Sequence, residues 1–141
     1  MDTKKILTVL TVEDDKFLST LVSQRLIQLG FSVIAVENGN DGMSRARTDH
    51  PNIILLDILL PDVSGFAVLK SLKEDESTKN IPVIVLSNFA GQEDVEKGMS
   101  LGATAYIVKS SMLPNEVALF VQEKMNNIPE NGESTAVPAV Y

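Results

Sequence analysis

With 141 residues, 44% of them hydrophobic and 22% charged, the chain can bury one core but not comfortably two. The absence of cysteine excludes a disulfide framework and thiolate metal sites, and it fits a reducing compartment. A net charge of -7, with the 12 Lys and Arg scattered rather than striped, would repel a phosphate backbone and argues against direct nucleic-acid binding.

The Met-Asp-Thr-Lys-Lys start carries no apolar signal core, and the most apolar stretch, Ile53 to Leu60, is interrupted by Asp57. Neither an export signal nor a membrane span is expected, so the predicted location is cytoplasmic. Ile6 to Val12 is a β-branched-rich run in which Leu7-Thr8-Val9 and Leu10-Thr11-Val12 nearly repeat; the strand is placed on the second triplet. Phe17, Leu18, Leu21, Val22, Arg25, Leu26 and Leu29 follow at helical spacing, with Asp15 as the cap and Gly30 as the stop. Phe31 to Val36 reads as a second strand, and Asn38 can cap a helix running through Arg47. His50-Pro51 turns the chain into a third strand, Ile53 to Asp57, which is apolar on both faces. After the loop Pro61-Asp62-Val63-Ser64-Gly65, an amphipathic helix carries Phe66, Val68, Leu69 and Leu72. Pro82 to Leu86 is a fourth strand, about Gln92 to Ser100 a helix, Ala105 to Val108 a fifth strand, and about Leu113 to Asn126 a helix with Val117, Phe120 and Val121 inward.

Five apolar strands alternating with amphipathic helices predict a doubly wound α/β fold, a parallel sheet covered on both faces. The domain is expected to span residues 1–127. Residues 128–141, rich in Pro, Glu, Asn and Ser and without hydrophobic period, are expected to form a disordered tail.

In such sheets the ligand crevice lies beyond the carboxyl ends of the strands. Strand one ends at Glu13-Asp14-Asp15, strand three at Asp57, strand four at Ser87 and strand five just before Lys109. Glu13, Asp14 and Asp57 would repel one another in a partly buried cleft unless a divalent cation neutralises them. Oxygen-only ligands favour Mg²⁺, with Asp14 and Asp57 as direct ligands, Glu13 acting through water, and the backbone carbonyl of Leu59 adding a third protein oxygen. A carboxylate attacking phosphorus needs positive charge and donors for the equatorial oxygens, which Lys109 and the Ser87 hydroxyl could supply, and Asp57 is the expected nucleophile. The lone His50 sits in a polar turn and receives no role. Gly65, Gly98 and Gly102 do not make a phosphate-cradling loop, so no nucleotide cofactor is expected.

Val12-Glu13-Asp14-Asp15, Leu56-Asp57-Ile58, Pro61 with Gly65, Leu86-Ser87, and Gly102-Ala103 followed by Tyr106 and Lys109 together resemble the signature of response-regulator receiver domains, over roughly Lys4 to Asn126. The resemblance implies a flavodoxin-like sheet of order 2-1-3-4-5. It also implies a histidine kinase or phosphotransfer protein as phosphoryl donor, and a signalling phosphoacceptor rather than an enzyme. Ser87 and Tyr106 become the pair that couples phosphorylation to a protein-binding face, with Tyr106 moving inward. The downstream protein is not readable, and phosphorylation-dependent dimerisation through the fourth-helix face stays compatible with the sequence. Two positions depart from the family pattern. Ser110 follows Lys109 where Pro is usual, which leaves the cis peptide at that bond in doubt, and Asn88 stands where a small Ala is usual. These departures motivate one alternative, a receiver-like binding module not controlled by phosphorylation. The other, an aspartyl-phosphate phosphatase of the haloacid-dehalogenase type, would need a second Asp where Leu59 stands.

Overall fold

Each apolar run becomes a strand and each periodic run a helix, in strict alternation. The computed structural model describes residues 5–127 and 139–141. In chain order the elements are β1 (Thr8–Val12), α1 (Lys16–Gln28), β2 (Ser32–Val36), α2 (Gly39–Asp49), β3 (Ile53–Leu56), α3 (Gly65–Glu74), β4 (Val83–Ser87), α4 (Gln92–Ser100), β5 (Ala105–Val108), a 3-10 turn (Lys109–Ser111), α5 (Pro114–Asn126) and β6 (Ala139–Val140). The sheet is parallel throughout, and its first five strands take the expected order β2-β1-β3-β4-β5.

Period-two alternation sorts the strand side chains onto two faces, and helices cover both. Val9, Ile53, Leu55, Ile84, Ala105 and Ile107 pack with Val22 and Leu26 of α1 and with Val117, Phe120 and Val121 of α5. Leu10, Val12, Ile54, Leu56, Val83 and Val85 pack with Ala46 of α2 and Phe66, Val68, Leu69 and Leu72 of α3. Burial on both faces explains why neither triplet at the start of β1 could be dismissed. The strand takes the second triplet together with Thr8 and Val9, and both Val9 and Leu10 are fully buried.

The apolar stripe of α1 divides differently from its sequence reading. Leu18, Val22 and Leu26 lie four apart on the face turned to the sheet, whereas Phe17 and Leu21, on the neighbouring stripe, are 76% and 36% exposed. Local capping follows the sequence. The Asp15 carboxylate accepts from Leu18 N–H at 3.1 Å and Asn38 Oδ1 from Asp41 N–H at 2.8 Å. Helix α2 ends on His50 in the left-handed conformation, φ 45°.

Most of the expected tail, residues 128–138, lies outside the described residues, but Ala139–Val140 form β6, a sixth strand parallel to β5. The outer edge of β5 offers unpaired backbone groups that a short extended segment can satisfy, and composition over the whole tail does not register three apolar residues at its tip. Among the described residues no helix is long and apolar enough to cross a membrane, and no peptide bond is cis, so Lys109–Ser110 is trans.

Candidate functional site

Register alone brings the acidic residues together. Val12 pairs with Leu56, so the next residues, Glu13 and Asp57, emerge side by side where the strands end, and Asp57 N–H donates to Val12 O at 3.0 Å. Ser87 pairs with Val108 on the neighbouring strands, which delivers Lys109 to the same edge. The result is a hollow of about 190 Å³ lined by Glu13, Asp14, Asp15, Asp57, Leu59, Ser87, Asn88, Phe89 and Lys109.

Asp57 is buried, and its two oxygens have separate tasks. Oδ1 accepts from Ile58 N–H at 2.7 Å and from Leu59 N–H at 3.3 Å, while Oδ2 accepts from Lys109 Nζ at 2.9 Å. Lys109 is shared: its Nζ also lies 2.7 Å from Glu13 Oε1. Glu13 Oε2 accepts from Asp15 N–H at 3.1 Å. Carboxylate oxygens of Glu13, Asp14 and Asp57 all fall within 4.8 Å of one another, with Asp14 exposed and the other two buried.

Three carboxylates facing one ammonium leave two uncompensated negative charges when all are ionised. Burial, with the nearby Asp57 charge adding to it, raises the Glu13 pKa from 4.5 to about 7 although the hydrogen bond from Lys109 opposes the rise. Burial would lower the pKa of Lys109, but its hydrogen bonds and charge attraction to Glu13 and Asp57 override it and raise it. A hard divalent cation fits this donor set, because the ligands are all oxygen, crowded and short of positive charge.

On the far side of the hollow, Ser87 Oγ accepts from Phe89 N–H at 3.1 Å, and the Phe89 carbonyl accepts from Tyr106 OH at 2.6 Å. Tyr106 is fully buried, against Gly98 of α4, where an added Cβ would lie 2.9 Å from the ring. From this conformation it has no inward path left to travel. Of the residues named from the sequence, Glu13, Asp14, Asp57, Leu59, Ser87 and Lys109 line the hollow, whereas Tyr106 lies in the core and connects to it through Phe89. The sequence reading missed two parts. Phe89 contributes through its backbone, which no side-chain motif reports. Asp62 accepts from Gly39 N–H at 2.8 Å and Asn40 N–H at 2.9 Å, tying the loop after Asp57 to the start of α2. Those amides hold its carboxyl below the usual carboxylate range. The partners are more than 20 residues away, so only the fold could reveal the tie.

The family profile of the response regulator receiver domain matches residues 9–118. The polar-differentiation response regulator DivK of Brucella ovis is 38% identical over 107 residues, covering 76% of this chain and 87% of that protein. Among solved structures, the phosphorylated cyanobacterial phytochrome response regulator RcpA is similar with a TM-score of 0.77 and 27% identity, covering 89% of this chain and 97% of its own. The Mn²⁺-bound form of response regulator Rcp1 is similar with a TM-score of 0.73 and 28% identity, covering 92% and 99%.

Proposed function

Since the chain belongs to the response regulator receiver family, and is thereby a phosphorylation-activated receiver of two-component signalling, we propose that Asp57 is its phosphoacceptor. The observation that carries this reading is the buried Asp57 carboxylate, held on one oxygen by two backbone amides and on the other by Lys109.

With Oδ1 engaged by the Ile58 and Leu59 amides, Oδ2 is the oxygen left to attack phosphorus. The new bond is Asp57 Oδ2–P; the bond broken is P–N of a phosphohistidine, whose nitrogen leaves with the electron pair and takes up a proton. Glu13, Asp14, Asp57 and the Leu59 carbonyl would hold Mg²⁺, which when bound neutralises charge on the transferring group; Rcp1 was crystallised with Mn²⁺. Lys109 Nζ, already at Asp57, passes to a phosphoryl oxygen, and the Ser87 hydroxyl donates to another. As Ser87 turns toward phosphate it gives up Phe89 N–H, so the signal reaches Tyr106 through the Phe89 backbone rather than through an inward swing of the ring.

The donor in this reading is a histidine kinase or phosphotransfer protein. Phe17, Leu59, Phe89 and Leu113, apolar yet exposed, stand at the strand-end side of the domain and give such a partner a surface to bury around the acidic hollow. The receiver unit is residues 1–127, acting in the cytoplasm, with no turnover beyond gaining and losing its own phosphoryl group. Asp57→Asn preserves shape and removes the nucleophile. It is expected to abolish labelling by acetyl phosphate in the presence of Mg²⁺ while leaving circular dichroism unchanged; labelling that persists in this variant would refute the assignment.

A further inference from the structure

The outer edge of β5 is occupied, and the occupant is a segment of the same chain, residues 139–141. β6 runs parallel to β5 with Ala139 opposite Ala105 and Val140 opposite Tyr106. Tyr141 N–H donates to Tyr106 O at 2.8 Å, and Val108 N–H donates to Tyr141 O at 2.7 Å. The Tyr141 ring stands edge-on to Phe120 of α5, centroids 4.8 Å apart at 67°, with Lys124 Nζ 6.0 Å from the Tyr141 ring and 5.2 Å from the Phe120 ring. Backbone pairing supplies direction and register, while an aromatic residue on a hydrophobic wall with a cation over it supplies selectivity for that side chain. A strand edge left open would accept a strand from any chain that offered one. A two-residue pairing is short enough to open reversibly, and the covalent connection from Asn127 keeps its partner at hand.

We propose that the outer edge of β5, walled by Phe120 and Lys124, is a binding site for an extended peptide carrying an aromatic residue, and that residues 139–141 fill it in cis and close it to other chains. Nothing in this requires phosphorylation, so it is tested on the 141-residue chain without Mg²⁺ or phosphoryl donor, and it stands or falls separately from the role of Asp57.

Tyr141→Pro removes both the N–H donated to Tyr106 and the ring against Phe120. In hydrogen exchange followed by NMR, the Val108 amide of this variant is expected to exchange at least tenfold faster than in the native chain, with the amides of β3 unchanged. Tyr141→Ala keeps the N–H and deletes the ring, and is expected to fall between the two. The peptide Pro-Ala-Val-Tyr, residues 138–141, titrated into Tyr141→Pro, is expected to shift the Tyr106 and Val108 resonances saturably and to slow Val108 exchange. Equal Val108 exchange in native and Tyr141→Pro chains overturns the site, as does a peptide that leaves both resonances unmoved. Tyr141→Ala indistinguishable from native overturns the Phe120 and Lys124 wall.

Discussion

Glu13 is held in the folded protein as a carboxyl that resists losing its proton, and that resistance is measurable as stability. Its pKa rises from 4.5 to about 7, principally because the side chain is buried. A rise of that size corresponds to about 3 kcal/mol of preference for the protonated form in the native state. Below pH 4.5 both folded and unfolded chains carry the proton, and the contribution to folding is complete. Between 4.5 and 7 the unfolded chain releases the proton while the native one keeps it, so stability falls as pH rises, and by about pH 8 the whole contribution is gone. Glu13→Gln stays neutral at every pH, keeps a hydrogen-bond acceptor for Lys109, and removes this dependence. The assay is urea unfolding in Mg²⁺-free buffer at intervals from pH 5 to pH 8, comparing native and Glu13→Gln chains so that all other titrations cancel. The native chain should lose stability relative to the variant across that interval by about 2–3 kcal/mol, and millimolar Mg²⁺ should narrow the gap by favouring the ionised carboxylate. Native and variant profiles that run parallel from pH 5 to pH 8 would refute the electrostatic account of the site.

Gly65→Ala would place a Cβ 2.1 Å from the carbonyl oxygen of Asp57, with only backbone to move aside. Its expected cost is at least about 3 kcal/mol by chemical denaturation, accompanied by loss of Mg²⁺ binding. Tyr106→Phe deletes the bond to the Phe89 carbonyl and should cost about 1 kcal/mol in the same assay. His50→Gly relieves a left-handed backbone at the end of α2 and should raise stability by roughly 0.5 to 1 kcal/mol, read as a higher denaturation midpoint.

The layout of the sheet and the strand-end cluster were legible because both depend on short-range pattern. Ile53 to Leu56 is apolar without alternation since helices cover both faces, and Asp57 follows it directly, so placing the strand also places the proposed nucleophile. Lys109 could be assigned to the same edge merely by counting to the end of the fifth strand. What escaped depends on contacts between distant segments or on backbone groups. Phe17 and Leu21 share helical spacing with the inward residues of α1, and only the orientation of that helix decides that they face water. The pairing of residues 139–141 with β5 and the tie from Asp62 to α2 have partners more than 20 positions away. Tyr106 was expected to move inward, yet its ring is already packed beside Gly98, a fit visible only once α4 lies across β5.

The two bonds made by Phe89 would set the length of the signalling path if Ser87 acts as proposed. Ser87 Oγ holds its N–H and Tyr106 OH holds its carbonyl, so one residue spans the gap between the acidic hollow and the aromatic ring in the core beneath α4. Withdrawal of the serine hydroxyl leaves that residue moored at one end only, free to pivot about the tyrosine. If Ser87 acts as proposed, a change in the hollow would reach the ring through a tether one residue long, without deforming the packed sheet, and its range would be bounded by how far that anchor lets the loop turn.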